Sequence, residues 1–310
     1  MRTLVHLFAF VLAWGVGLCA IAEAQPIRTF VALTGSDANP CTFASPCKSV
    51  QHAHDVVAAG GEIRMLDPGS YGLLTITKSI SVLGDGHGGI AAQNGATAIT
   101  INASASDTIN LRGLVLEGFG SGQSGIVFHT GAALKIQDSI IRNFVLFGIN
   151  FQPTAASQLN VSHTIVSDIS TSGTAAVNIQ PSGSGSANAV LDQVELDRGV
   201  DGLDIIGGAG GVYVTIADSV ISHYSTGKGL FVSSNSGVFQ LMIQNCTISN
   251  NSQGILASGA SAVIRVTKST ITGNSNGWGA VSSGSLISYS DNNVDGNATN
   301  GSPTSTIGPQ

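Results

Sequence analysis

Ile216-Ala-Asp-Ser219-Val-Ile221 is followed 27 residues later by Ile243-Gln-Asn-Cys246-Thr-Ile248. Both read apolar-x-x-small-x-apolar. The pattern also occurs as Ile136-Gln-Asp-Ser139-Ile-Ile141, Val161-Ser-His-Thr164-Ile-Val166, Leu191-Asp-Gln-Val194-Glu-Leu196 and Val266-Thr-Lys-Ser269-Thr-Ile271. A degenerate last copy is Tyr289-Ser-Asp-Asn292-Asn-Val294. The first residues of the seven copies are 25, 30, 25, 27, 23 and 23 apart, a period that belongs to repeat units stacking on one another.

Each copy alternates apolar and polar residues over short stretches rich in Thr, Val, Ile and Ser, which predicts strands. A second short strand follows, introduced by Gly, as in Gly125-Ile-Val-Phe128, Gly148-Ile-Asn-Phe151, Gly202-Leu-Asp-Ile205, Gly229-Leu-Phe-Val232 and Gly254-Ile-Leu-Ala257. Gly and Asn between strands are expected to supply left-handed corners. A third strand precedes the next copy, as in Ala133–Ile136, Val212–Ile216 and Phe239–Ile243. One circuit per repeat gives an all-β fold: a single-stranded right-handed parallel β-helix of about 8–9 coils. Ile141, Val166, Leu196, Ile221, Ile248, Ile271 and Val294 are predicted to stack as one inward column at a spacing of about 4.7–4.9 Å.

The ends differ from the repeat. Residues 1–24 have the form of a signal peptide: Arg2, an apolar run from Leu4 to Ile21, and Ala22-Glu23-Ala24 as a small-x-small cleavage site. Residues 25–70 are expected to form an N-terminal cap of strand, disulfide loop and helix, because an open stack end must be covered. In that cap Ser49 is the expected helix N-cap, Val50, Ala53, Val56 and Val57 share one face, and Gly60-Gly61 ends the helix. Cys41 and Cys47 can close a short loop in an oxidising compartment. The third cysteine of the mature chain, Cys246, takes the small slot of its repeat and reads as a buried thiol. Residues 71–296 form the β-helix, and residues 297–310, rich in Ser, Thr, Gly and Asn, read as a flexible tail.

The chain has 310 residues, a net charge of −6 and no run of Lys or Arg, which argues against nucleic acid or anionic lipid as a partner. No apolar run after the signal is long enough to span a membrane. A secreted or periplasmic location is expected.

The N-terminal succession Gly35-Ser-Asp-Ala-Asn-Pro40-Cys41, Pro46-Cys47-Lys-Ser-Val50-Gln, Gly60-Gly61-Glu-Ile63 and Asp67-Pro-Gly69-Ser-Tyr71 leads into the repeats. With them, over residues 28 to 296, the chain resembles the secreted bacterial right-handed parallel β-helix repeat proteins of the pectate-lyase-like superfamily. That resemblance implies contact with extracellular polysaccharide, often acidic, and admits Ca²⁺ as a cofactor; other members are adhesins or surface-layer components. Gly84-Asp85-Gly86-His87-Gly88-Gly89 is similar to the Gly-His-Gly element of polygalacturonases, but the Asn-Thr-Asp, paired Asp and Arg-Ile-Lys elements of that family are missing.

Aligning the repeats brings one polar region forward. Arg142-Asn143, Ser167-Asp168, Asp197-Arg198 and Ser222-His223 are equivalent positions in four successive coils, and Asp201 and Asp204 follow closely. A uronate lyase needs a cation against the substrate carboxylate and a base for the adjacent proton. Asp168, Asp197 and Asp201 are the candidate Ca²⁺ ligands, Arg198, Arg142 and His223 the candidate base and clamp. Phe144, Tyr224 and Asp204 are candidates for holding sugar rings, and Trp278 is a further exposed-aromatic candidate. The same residues also fit a row of solvated surface ion pairs. His163 falls where other copies have exposed polar residues. The resulting expectation is a polysaccharide-binding β-helix without a recognisable complete catalytic set. The alternatives are a Ca²⁺-dependent uronate lyase or related depolymerase, and a surface scaffold that self-assembles through its open C-terminal end.

Overall fold

A computed structural model describes residues 24–207 and 210–308. The expected signal segment therefore lies outside the described residues, Ala24 apart. The described residues form a parallel β-solenoid of about nine turns with one short helix. Each middle coil has three sides. A long side carries strands such as Ala156–Ser162, Ser186–Asp192, Val212–Ala217 and Phe239–Gln244. A short side follows, as in Ile165–Ile169, Glu195–Gly199, Val220–Ser222 and Thr247–Ser249. A return side then closes the turn, as in Ala175–Ile179, Asp201–Ile206, Lys228–Ser233 and Gln253–Ser258. All pairings run parallel, and the long sides form one 12-stranded sheet.

The register agrees with the repeat alignment. Ile141 pairs with Val166, then Leu196, Ile221, Ile248, Ile271 and Val294 in an unbroken column, which Leu116 and Ile90 extend towards the N-terminus. Its members from Ile141 to Ile271 are at most 0% exposed, and each contributes roughly 1.5–3 kcal/mol by leaving water. The small slot next to this column is polar for a reason that spacing alone does not give. Ser219 Oγ accepts from Val194 N of the preceding coil and donates to Ala217 O, and Ser269 does the same for Cys246 N and Thr267 O. The hydroxyl ties two coils together at the bend. Cys246 is buried there as a free thiol, and burial pushes its pKa up to about 11.

The left-handed corners lie elsewhere than expected. None of Gly125, Gly148, Gly202, Gly229 and Gly254 has a positive φ. These positions are small because the return strand crosses close to the aliphatic column: a Cβ on Gly148 would sit 2.2 Å from Val166 Cγ1, and one on Gly125 2.5 Å from Ile141 Cγ2. The left-handed residues flank the short side instead. Before it they are Asp138, His163, Gln193, Asp218, Asn245 and Lys268; after it they are Asn143, Asp168, Arg198, His223, Asn250, Gly273 and Gly296. His163 is exposed on the first of these corners.

The N-terminal stretch holds the short helix and a disulfide. Ser49 has extended dihedrals and accepts from His52 N at 3.2 Å, opening the helix Val50–Val56. Val50, Ala53 and Val57 are buried against the first strands, and Cys41 and Cys47 are joined. The expected loose tail is corrected. Ser305–Thr306 pairs with Ile287–Ser288, Thr299 bridges Asn276, and Thr304 exchanges bonds with Leu286 N and O. Residues 297–307 are thus a further partial turn, held by hydrogen bonds and not by apolar burial.

Candidate functional site

The corner between the short and return sides gathers the predicted polar residues. The last short-side residue points outward, the next is left-handed, and the one after points inward. Arg142, Ser167, Asp197 and Ser222 stack in register at the first of these positions. Asn143, Asp168, Arg198 and His223 occupy the second, with φ of 60, 60, 51 and 64°.

Asp197 is the hub. It is buried, and its oxygens accept from Arg198 Nη1 at 2.5 Å and Ser222 Oγ at 3.0 Å and lie 2.7 Å from His223 Nδ1. Arg198 also donates to Asp168 from Nε at 2.8 Å and from Nη2 at 3.3 Å. Three of its five N–H groups are then engaged and two remain for a ligand. Burial alone would raise the Asp168 carboxyl, but bonds from Arg198 and Ser167 outweigh it and hold it below its ordinary value. Asp168 in turn raises Arg198. With an N–H on Nδ1 facing Asp197, His223 keeps an accepting Nε2, which has no partner among the described residues. The Arg198 and His223 side chains are 61% and 56% exposed, and they border a groove of about 540 Å³ with Gly199, Ser225 and Asn250.

Arg142 belongs to a neighbouring set. It bonds Glu117 at 2.7 Å, and Asn143 donates to the same carboxylate. Asp201 does not join the hub either. It faces the return side, where Lys228 N and Nζ donate to it at 2.6 and 3.1 Å and Nζ lies 4.6 Å above the Phe231 ring. Asp204 is buried three residues further along the same strand, with Oδ1 unpaired among the described residues. Burial first, then the Asp201 charge, raises its pKa to about 7 against the opposing pull of Lys228. Beside it Asn178 donates to Asn150 at 2.8 Å, both buried.

Several expectations need correction. Phe144 and Tyr224 are 0% exposed and present no face to a sugar; they occupy the inward position after the left-handed residue. The Tyr224 ring fills space left by Gly199 and Gly202, where a Cβ would approach it to 3.2 and 2.9 Å. Its hydroxyl has no partner among the described residues, and burial raises its pKa well above the ordinary value. Trp278 is buried because it pairs with Ile255 and ends an aliphatic column. Asp168, Asp197 and Asp201 do not bring their oxygens within 4.8 Å of one another, and each already has a cationic partner, so this set does not fit a Ca²⁺ ion. Among the described residues the one three-ligand group is Cys41, Cys47 and His52, and its sulfurs are spent in the disulfide. Sequence reasoning passed over Lys228, Glu117 and Ser222 as ligating groups. Lys228 was findable: it precedes Gly229 as Asp201 precedes Gly202, one coil apart.

No family model matches the chain, and no curated protein matches it in sequence. Among solved structures it is similar to pectate lyase Pel9A, with a TM-score of 0.65 and 14% identity over 90% of this chain and 77% of that one. A rhamnogalacturonan lyase aligns over 84% of this chain and 75% of that one at 16% identity, with a TM-score of 0.41. The first likeness is one of fold: the two chains share a parallel β-helix.

Proposed function

We propose that this chain is a polysaccharide-binding β-helix whose contact is the corner centred on Asp197. One observation carries the reading. A buried carboxylate fixes an arginine and a histidine that stay more than half exposed at a groove, with two guanidinium N–H groups and an imidazole nitrogen left over. Donors and acceptors held in fixed directions suit sugar hydroxyls, and charge-assisted hydrogen bonds are the stronger kind. Arg142 and Asp168 extend the contact along the axis by one or two coils. The disulfide fits an oxidising compartment, and no helix among the described residues is long and apolar enough to cross a membrane. A secreted or periplasmic location completes the reading.

The Asp197–His223 pair favours a second reading, a uronate depolymerase. His223 Nε2 would take the proton next to a substrate carboxylate held by Arg198; the glycosidic C–O bond β to that carboxylate would break, leaving a C=C bond in one product, and the departing oxygen would gain a proton from water. The experiment immobilises acidic and neutral polysaccharides and measures retention of the chain and of Arg198→Gln. Retention that Arg198→Gln reduces at least tenfold is expected. Equal retention of both forms, or none, removes the corner as the contact. Ultraviolet absorbance from unsaturated products, lost in His223→Gln while retention persists, distinguishes the depolymerase from the binding protein.

A further inference from the structure

The short helix carries two histidines, and only one is engaged. His54 is buried, with Nδ1 3.2 Å from Asp55 Oδ1 and Nε2 accepting from Thr77 N at 3.3 Å. His52 is half-buried, and its imidazole has no hydrogen-bond partner among the described residues; only its backbone N–H is used, by Ser49. The nearby Asp37 carboxylate is occupied by Lys48 N, Ser49 N and Ser49 Oγ. His52 faces the disulfide instead: a ring nitrogen and the Cys41 and Cys47 sulfurs all lie within 4.8 Å of one another.

The backbone holds these three groups together independently of the S–S bond. Phe30 N donates to Cys41 O at 2.9 Å, and Cys47 N donates to Phe30 O at 3.0 Å. Ala32 N donates to Cys47 O at 3.0 Å. Both cysteines are thus pinned to Arg28–Val31 and the residue after it, and that strand pairs with Gly61–Met65. His52 sits in the first turn of the helix, where Ser49 is the N-cap. Opening the S–S bond leaves all of these hydrogen bonds in place.

We propose that Cys41, Cys47 and His52 form a Zn²⁺ site in the reduced chain, so that this segment exchanges a disulfide for a metal. Two electrons from a dithiol open the S–S bond. The dithiol closes to its own disulfide, and its two protons pass to the Cys41 and Cys47 sulfurs. Zn²⁺ then displaces those two protons and takes both thiolates with the neutral imidazole of His52. Tetrahedral zinc, with bonds of about 2.3 Å to sulfur and about 2.0–2.1 Å to nitrogen, spaces its ligand atoms about 3.5–3.8 Å apart. The sulfurs part to that spacing by rotating about their Cα–Cβ bonds. Water takes the fourth position. Thiolates and an imidazole select zinc over Mg²⁺ and Ca²⁺, which take oxygen ligands.

The test titrates the full chain with Co²⁺, a coloured stand-in for zinc, with the disulfide intact and after anaerobic reduction by a phosphine. The reduced chain should bind one Co²⁺, with thiolate-to-cobalt charge transfer in the near ultraviolet and the strong visible bands of a tetrahedral ion. Zn²⁺ should displace it, and should raise the melting temperature of the reduced chain and not of the oxidised one. Cys41→Ser or Cys47→Ser should abolish the charge-transfer band, while Cys246→Ser should keep it. His52→Gln should weaken binding at least tenfold, since even an outer partner of a ligand is worth roughly 10–100-fold. It leaves the disulfide intact, so the oxidised variant should melt with the parent. Binding that is equal in the oxidised chain, indifferent to His52→Gln or lost in Cys246→Ser overturns the proposal. So does a reduced chain that binds no metal, whether it stays folded or unfolds.

Discussion

One corner of the solenoid is built in two ways. In the last coils its left-handed positions hold Asn250, Gly273 and Gly296, and the inward residues after them are Asn251, Asn274 and Asn297. These asparagines form a ladder: Asn251 N donates to Asn274 Oδ1 and Asn274 N to Asn297 Oδ1, while each Nδ2 reaches back to a carbonyl at Ile221, Ile248 or Ile271. In the middle coils the same left-handed positions hold Asn143, Asp168, Arg198 and His223, and the inward ones Phe144, Ile169, Gly199 and Tyr224. No asparagine fills the inward slot there, and the ladder ends where Tyr224 N donates to Asn251 Oδ1 at 3.0 Å. Arginine and histidine gain nothing from left-handed dihedrals, which cost an L-residue roughly 1–2 kcal/mol. The two buried side-chain atoms without partners among the described residues, Asp204 Oδ1 and Tyr224 Oη, also fall in these coils. The end of the stack is optimised as structure. The middle departs from that optimum where the exposed arginine and histidine sit, as expected of a site selected for contact.

The largest effect should come from Ile221, which lies where the two constructions meet. Ile221→Asp places a carboxylate in the aliphatic column with no cation in reach, at a cost of several kcal/mol against a typical stability of about 5–15 kcal/mol. Soluble, cooperatively folding protein should be lost. A variant melting near the parent temperature by circular dichroism would remove the column register from which both corners are read.

Asp204 tests the middle coils through pH. Its pKa is near 7 folded against an ordinary 3.8, so between those values the folded chain keeps a proton that the unfolded chain has released. Stability from this group therefore falls as pH rises through that window. At about 1.4 kcal/mol per pH unit the penalty reaches roughly 4 kcal/mol above pH 7. Asp204→Asn, extending the Asn150–Asn178 amide row, should be more stable than the parent at pH 8 and equal to it at pH 4. Urea midpoints at the two pH values check this, and a gain that does not depend on pH contradicts it.

Asn274 tests the other construction. Asn274→Ala leaves the Asn251 N–H and the Ile248 carbonyl without these partners in a buried corner. Orphaned buried groups cost about 1–3 kcal/mol each, so a loss of about 3 kcal/mol in urea unfolding is expected. Glycan retention should not change, because the middle coils are untouched.

These differences also mark what the sequence made legible. Columns of Ile, Val and Leu recur at one period and alternate strictly, so the register from Ile141 to Val294 followed from spacing. The partners of Arg198 and Asp197 were implied by equivalence between coils. Side-chain direction at the corner was not. The inward slot accepts Phe144, Tyr224 and Asn251 alike, since an asparagine ladder satisfies its own amides while an aromatic ring fills space. A slot that is polar in some copies looked exposed in all of them, and two buried aromatics were read as a sugar platform. The tail was misread for a related reason: its last partial turn is held by Thr304 and Asn300, and polar composition there resembles a loop.

The smallest effect is the most direct measure of what the middle corner gives up. His223→Gly relieves a left-handed L-residue, a gain of about 1 kcal/mol, offset in part by the flexibility glycine adds to the unfolded chain. The pair with Asp197 is exposed on the histidine side and adds little, and Asp197 keeps Ser222 and Arg198. Asn250→Gly, one coil later, makes the same backbone change from a residue that tolerates these dihedrals. The histidine variant should therefore gain more than the asparagine variant, by about 0.5 kcal/mol, seen as a higher urea midpoint. Equal gains at the two positions would mean that histidine costs the fold nothing there, and the contrast between the two corners would then be one of packing alone.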